Sequence, residues 1–191
     1  YATEAYDKLC YQGTNTNKSV ACAYETSGAL KKGFTAFTID DKGCAVSSAA
    51  MVMQYYGRVA TPATLNSTLN KNNGFKDGRV KWGEVTNASD PKLPLIHSHI
   101  AQGAKGKLPP AEIPSSNLIL DAYLDLCMPV IVNVNRGTAT NYAQHFVIVT
   151  KKDGIDFIIN DPGYNTRTRL SAYNNIIYGF QVYGEADRRC K

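Results

Sequence analysis

The 191-residue sequence predicts an α+β fold in which helices pack on an antiparallel β-sheet. Two observations predict this class. Apolar residues recur at helical spacing in the first two thirds of the chain, whereas the last third contains β-branched and aromatic runs separated by turn signals. Helices that precede the strands, rather than alternating with them, are typical of the α+β class.

The composition is that of a globular protein, and it excludes several functional classes. Hydrophobic residues make up 43% of the chain and charged residues 19%, which is too apolar for intrinsic disorder. No apolar run approaches the roughly 20 residues of a membrane-spanning helix. The net charge of +5 arises without a compact basic block. The sequence therefore predicts neither a nucleic-acid partner nor an integral membrane segment.

The N-terminal residues and the cysteines indicate the domain organisation and the compartment. We expect residues 1–35, which are polar and irregular, to form an extension, and residues 36–191 to form the folded domain. Cys10 and Cys22 flank a polar loop in this extension, and Cys190 nearly ends the chain. Cysteines in such segments favour disulfide bonds and a secreted or periplasmic protein. Incidental thiols of a cytosolic protein are the alternative.

Three helices are predicted in the first two thirds of the chain. Residues 44–56 carry apolar side chains at helical spacing, and Gly57 supplies the C-terminal stop. Thr61 followed by Pro62 is typical of an N-cap and the first residue of a second, short helix. Residues 117–127 return to helical spacing.

The strands are predicted after the third helix. Turn signals such as Asp153-Gly154 separate β-branched and aromatic runs. The segment before the third helix, residues 74–114, is rich in Gly, Pro, Lys and Asn and predicts no regular element. The predicted strands are residues 130–134, 145–150, 156–160 and 176–183.

Cys44 is the first candidate catalytic residue, because it follows Gly43 at the start of the most regular predicted helix. A thiol there lies near the helix N–H groups that have no helical acceptor and near the positive end of the helix dipole, which favour the thiolate. Gly43 allows close approach of a substrate carbonyl, and the Cys44 N–H would be one oxyanion donor. The alternative is a small buried cysteine that only packs in the core.

A thiolate nucleophile needs a general acid/base, and histidine suits both proton transfers near neutral pH. His145 opens a strongly apolar strand, where a polar side chain is expected to face a sheet edge or a cleft. His97 and His99 would share one face of a strand as metal ligands, but no third ligand is near them in the sequence. We therefore expect exposed loop histidines there, no metal site and no cofactor.

The strand that follows His145 ends in Asn160-Asp161-Pro162. A side chain that leaves the neighbouring strand near the level of His145 can accept a hydrogen bond from the imidazole and fix its tautomer. We expect Asp161 to have this role. Asn160 is the alternative, because strand register predicted from sequence can slip by one residue. A simple Asp-Pro-Gly turn is the remaining interpretation.

With Cys44, His145 and Asp161 in this order, the sequence resembles the papain-like cysteine peptidases and, more closely, the C39-like peptidase family. The resemblance implies a papain-like catalytic domain over residues 36–191. It also implies that Cys44 is the nucleophile, His145 the general acid/base and Asp161 its orienting partner. The matching segments are residues 43–57, Thr61-Pro62 with Leu65, and residues 78–82, 128–132, 145–149 and 160–162.

Two positions depart from the pattern of this family. Members usually carry a glutamine upstream of the cysteine that completes the oxyanion hole, whereas the only upstream glutamine here is Gln12. It would serve only if the loop between Cys10 and Cys22 folds back towards the cleft. Loss of one oxyanion donor lowers the rate about 10²- to 10³-fold. Cys127 stands where relatives often have a small residue, and we expect it to be buried and inert, or disulfide-bonded.

These observations favour an exported cysteine peptidase or amidase that forms a thioester acyl-enzyme on Cys44, with a peptide or peptidoglycan-like substrate. The same intermediate would serve acyl or peptidyl transfer to an amine. The absence of a nearby upstream glutamine instead favours a weak or inactive module that binds a peptide or cell-wall fragment. The sequence has no Walker-type glycine loop, so cleavage coupled to export is not predicted.

The five cysteines fit a pattern of one reactive thiol and four structural ones. If Cys44 stays free, the other four allow two disulfides in three connectivities. We expect Cys10 and Cys22 to form one bridge, which leaves Cys127 and Cys190 paired or both free.

Overall fold

The structure, a computed structural model, contains four α-helices, three short strand pairs and a five-stranded antiparallel sheet in its described residues. This confirms the predicted α+β class. None of the described helices is long and apolar enough to cross a membrane. The predicted extension, residues 1–35, falls almost entirely outside the described part of the chain. That part is residues 23–24, 37–38, 43–76, 79–100, 113–114, 118–138 and 141–185.

The chain divides into two compact units. The first consists of Tyr1–Pro94 with Pro162–Asn165, and its described helices come from the first half of the chain. The second consists of Leu95–Asp161 with Thr166–Lys191 and contains the five-stranded sheet.

The first helix of the first unit is α1 (Cys44–Tyr55), and its first ten residues are all buried. Alanine and serine make up much of this run, and their small side chains allow a helix to be buried on every side. The helix stops at Gly57, which has a φ of +77°. The Gly57 N–H donates to Gln54 O (2.8 Å) and the Arg58 N–H to Met53 O (2.9 Å). These two bonds form a Schellman motif, so the predicted stop is confirmed.

The second helix, α2 (Pro62–Lys71), begins where the sequence predicts. The Thr61 hydroxyl accepts from the Thr64 N–H (3.1 Å), and the Thr64 hydroxyl accepts from the Thr61 N–H (2.8 Å). This reciprocal pair is a capping box. The third helix, α3 (Trp82–Ala88), lies in a segment for which no element is predicted, and α2 packs against both α1 and α3. The strand pairs are β1 (Ala23–Tyr24) with β2 (Phe37–Thr38), and β3 (Phe75–Lys76) with β4 (Arg79–Val80).

The strands of the second unit are β5 (Leu95–Ile100), β6 (Ile113–Pro114), β7 (Val130–Asn135), β8 (Gln144–Asp153), β9 (Asp156–Asn160), β10 (Ile176–Ile177) and β11 (Gly179–Tyr183). Five of them form an antiparallel sheet in the order β5–β11–β7–β8–β9. The predicted strand 176–183 is interrupted at Tyr178, whose N–H donates to Asn133 O (2.7 Å). Its first part pairs with β6 instead of joining the main sheet.

The apolar core of the second unit lies against one face of this sheet. Helix α4 (Leu118–Asp125) packs on β7 and β8. Directly opposed residues of antiparallel strands share a face, and the pairs Val130–Val149 and Val132–Val147 belong to the core. The core consists of Leu120, Met128, Val130, Val132, Val134, Val147, Val149, Phe157, Ile159, Leu170, Tyr173, Ile177, Phe180 and Val182.

A 3₁₀ turn, Leu170–Tyr173, packs against β9, and Asp156 anchors it. The Asp156 carboxylate accepts from the N–H groups of Phe157 (2.8 Å) and Ser171 (3.1 Å). Partial burial acts to raise the pKa of Asp156. Hydrogen bonds from Ser171 and Phe157, together with the nearby Arg169 charge, outweigh burial and hold this pKa below its ordinary value.

We expect Asp156→Asn to lower the free energy of unfolding at neutral pH by about 0.5 to 1 kcal/mol. Because the folded-state pKa is lowered, the ionised carboxylate stabilises the fold above its unfolded value of about 3.9. This contribution disappears as the pH falls through the folded value. Urea unfolding at about pH 7 and about pH 2 measures the difference. An equal loss at both pH values would contradict this role of the charge.

Candidate functional site

Cys44 is the first residue of α1, as the sequence predicts. Its N-cap residue, Gly43, offers no side-chain hydrogen bond, and the first turn contains no acidic residue. The Cys44 N–H is one of the four at a helix start that have no acceptor within the helix. The side chain is buried, with 9% of the residue exposed, and Cys44 is the free cysteine among the described residues. A thiol is thus held at the positive end of a buried helix.

His145 is the second residue of β8 and is fully buried. It lies directly opposite Val134, so it occupies the core face of the sheet, in line with Val147 and Val149. The row of apolar side chains on this strand therefore ends in an imidazole. The strand begins one residue earlier than predicted, at Gln144.

The Asp161 carboxylate contacts this imidazole, with His145 Nε2 and Asp161 Oδ1 2.7 Å apart. The register explains the contact. Asn160 lies opposite Ile148, so the next residue along the chain, Asp161, falls level with Val147. Asp161 is therefore a diagonal neighbour of His145 on the same face of the sheet. Neither side chain is exposed to solvent.

Asn160, the alternative partner of His145, faces away from it. Because Asn160 lies opposite Ile148, it belongs to the face of the sheet that does not carry His145. Its Nδ2 atom is buried and makes no hydrogen bond within the described part of the chain. The observed contact with His145 thus involves Asp161 and not Asn160. The catalytic role of either residue stays a prediction.

Tyr173 is a third member of this buried cluster, and the sequence does not reveal it. Its hydroxyl donates to Asp161 Oδ2, and its ring centroid lies 6.0 Å from that of His145. Tyr173 ends a short 3₁₀ turn, where no periodic pattern predicts the direction of a side chain. The sequence signal available is a tyrosine 12 residues after Asp161, which is not specific.

An imidazole whose Nε2–H is held by a carboxylate presents Nδ1 as its basic nitrogen. Such a group can take a proton from a thiol and return it to a leaving amine. Cys44 belongs to the first compact unit, and His145 and Asp161 belong to the second.

The other two histidines lie on β5 and not in a loop. His97 and His99 are exposed, as expected, and both rings contact Phe180. His97 Nδ1 lies 2.6 Å from the Tyr123 hydroxyl. Within the described ranges, no group of three or more His, Cys, Asp or Glu side chains is arranged to hold a metal ion.

Cys127 is half-buried and not buried as expected. The remaining predicted positions lie outside the described residues. These are the oxyanion candidate Gln12 and three cysteines, Cys10, Cys22 and Cys190.

The sequence matches the family model described as Peptidase_C39 like family over residues 30–184. One similar solved structure is the peptidase domain of Streptococcus ComA, a bi-functional ABC transporter involved in a quorum sensing pathway. It is 19% identical, with 74% of this chain and 89% of that chain covered and a TM-score of 0.45. Another, from Bacillus anthracis, carries the name C39-like peptidase and is 14% identical, with 76% and 90% covered and a TM-score of 0.45. No curated protein sequence matches significantly.

Proposed function

Because the chain belongs to the C39-like peptidase family, we propose that it is a cysteine peptidase or amidase with Cys44 as its nucleophile. The observation that carries the proposal is the fully buried contact between His145 Nε2 and Asp161 Oδ1. A carboxylate in that position fixes the imidazole tautomer, as a general acid/base requires. The free thiol at the start of α1 is the matching nucleophile.

The reaction proceeds in two halves. In the first, His145 Nδ1 takes the Cys44 proton, and the sulfur attacks the carbonyl carbon of the scissile bond. His145 then gives this proton to the leaving nitrogen as the C–N bond breaks, which leaves a thioester on Cys44. In the second half, His145 takes a proton from water, the resulting hydroxide attacks the thioester, and the thiol and a carboxylic acid are released. In both halves, Asp161 Oδ1 holds the imidazole through its Nε2–H.

The oxyanion that forms in each half needs hydrogen-bond donors. The Cys44 N–H is one, since it has no acceptor within α1. Gln12 is the proposed second donor, through its side-chain amide. If only one donor is present, the rate falls about 10²- to 10³-fold.

A peptide or a peptidoglycan-like peptide is the proposed substrate, in keeping with the family. Transfer of the acyl group to an amine uses the same thioester, so the second nucleophile separates hydrolysis from transfer. A binding module without turnover is the second candidate, which the lack of a glutamine between Gln12 and Cys44 favours.

We expect iodoacetamide to label Cys44 rapidly in the native, unreduced protein at mildly acidic pH, because the proposed Cys44–His145 pair requires a reactive thiolate. His145→Ala is expected to slow this labelling about 10-fold or more. The control is His99→Ala, which removes an exposed histidine and is expected to leave the rate unchanged. Peptide mapping by mass spectrometry gives the rates. Equal labelling of wild type and His145→Ala would contradict the proposed pair.

Turnover is tested with a defined peptide mixture and with peptidoglycan stem peptides, analysed by mass spectrometry. We expect cleavage by the wild type, none above background with Cys44→Ala, and a rate at least 10-fold lower with Asp161→Asn. Hydroxylamine is expected to divert part of the acyl group to a hydroxamate. Retention of peptides in equilibrium dialysis without cleavage would favour the binding module instead.

We also propose that the protein works in an oxidising compartment outside the cytoplasm. The number of cysteines besides Cys44 supports this, since Cys10, Cys22, Cys127 and Cys190 can form two disulfide bonds. Disulfides persist in secreted and periplasmic proteins. The labelling experiment tests this when the protein is unfolded without reductant. Before reduction, one alkyl group is expected if the other four cysteines form two disulfides and three if they form one; after reduction, five are expected, one for each cysteine. Five before reduction would contradict it.

A further inference from the structure

We propose that Tyr173 is a positioning residue for this reaction: its hydroxyl fixes the Asp161 carboxylate, so that the other carboxylate oxygen holds His145 in its working orientation. The inference rests on the roles of His145 and Asp161 in the proposed function. Tyr173 acts through Asp161 and has no contact with the reacting atoms in the mechanism.

The Asp161 carboxylate is held at both of its oxygens. Oδ1 contacts His145 Nε2, and Oδ2 accepts the hydrogen bond from Tyr173. The terminal torsion of an aspartate is soft, so a hydrogen bond at the second oxygen restricts how far the carboxylate turns and keeps Oδ1 directed at His145. The Asp161 side chain is fully buried, so bulk water does not replace the hydroxyl. The second contact therefore defines the orientation of the first.

Tyr173 is itself firmly placed. It is 4% exposed and belongs to the apolar core. The turn that carries it is attached to β9 through Asp156, which accepts from the Ser171 N–H at 3.1 Å. Asn174, with a φ of +59°, closes the turn by donating to Ser171 O at 3.0 Å. The hydroxyl thus contacts Asp161 from a side chain that is fixed by core packing and by the hydrogen bonds of its 3₁₀ turn.

The surroundings of Tyr173 favour the protonated form of its hydroxyl, which is the form that donates to Asp161. Burial and then the adjacent Asp161 charge raise the pKa of Tyr173 well above its ordinary value, although Arg167 opposes this. The guanidinium carbon of Arg167 lies 5.1 Å from the centroid of the Tyr173 ring. The hydroxyl carries a single proton, and the hydrogen bond to Asp161 Oδ2 uses it. Tyr173, Asp161 and His145 therefore form one chain of hydrogen bonds, and Arg167 lies over the tyrosine ring.

Tyr173→Phe keeps the ring and removes this donor. We expect kcat to fall about 10-fold with little change in KM, because the substrate contacts remain. The acid limb of kcat/KM is expected to move up by about one pH unit, because the ionised carboxylate has lost a hydrogen bond that favours it. The matched control is Tyr123→Phe, which removes the hydroxyl that contacts His97. We expect it to change neither kcat nor the acid limb.

Proton NMR of the Cys44→Ala protein gives a readout that needs no turnover, so failure of the proposed function does not affect it. The His145 Nε2–H is expected as a downfield, slowly exchanging resonance. Tyr173→Phe is expected to move it upfield and to speed its exchange about 10-fold, an effect of one lost hydrogen bond. Tyr123→Phe is expected to change His97 alone. Arg167→Gln retains the hydroxyl and is expected to cause a smaller change of the same sign, which provides a test if Tyr173→Phe does not fold.

An unchanged acid limb and unchanged Nε2–H exchange in Tyr173→Phe, with a lower melting temperature, would assign Tyr173 to packing alone and overturn the proposal. The expected NMR changes in a protein that shows no peptidase activity would support the positioning contact and count only against the proposed function.

Discussion

His145 and Asp161 are two ionisable side chains that are fully excluded from solvent beside an apolar core. Burying either of them without a partner costs several kcal/mol, so each must satisfy the other. The sheet makes this pairing possible, because the register of β8 and β9 places both side chains diagonally on one face. Tyr173 completes the cluster at the second carboxylate oxygen. A buried pair that is maintained at this cost, in a peptidase-type domain, is a strong candidate for a proton-transfer device.

The parts of the fold that could be predicted carry their own local signals. Helix α2 has its Thr61 cap and Pro62, and the buried strands of the sheet are apolar runs between turns. Two elements within residues 74–114 have no such signal. Helix α3 is only seven residues long and contains Gly83, Thr86 and Asn87, which are weak helix formers. Strand β5 is exposed along all but its first residue, so its pairing with β11, rather than an apolar pattern, defines it.

The residues of the candidate site also divide into those with a local sequence signal and those without one. Cys44 is evident from its place at a helix start, and His145 from its place in an apolar strand. Whether Asp161 or Asn160 faces His145 depends on the strand register. The alternation of apolar residues in the sequence leaves this register open by one residue. In the structure, Asn160 pairs with Ile148, so Asp161 is the residue on the face of His145. Tyr173 could not be predicted, because its contact with Asp161 arises from the tertiary packing of a 3₁₀ turn on β9.

The proposed function requires Cys44 and His145 to act on the same substrate bond. A short bifunctional alkylating agent, 1,3-dibromoacetone, tests it directly, because its two reactive carbons flank a single carbonyl carbon and join only groups that are close together. After brief treatment of the native protein, peptide mapping by mass spectrometry is expected to find one bridge, between Cys44 Sγ and His145 Nδ1. Alkylation of Cys44 without any bridge to His145, or a bridge to His97 or His99 instead, would contradict the account.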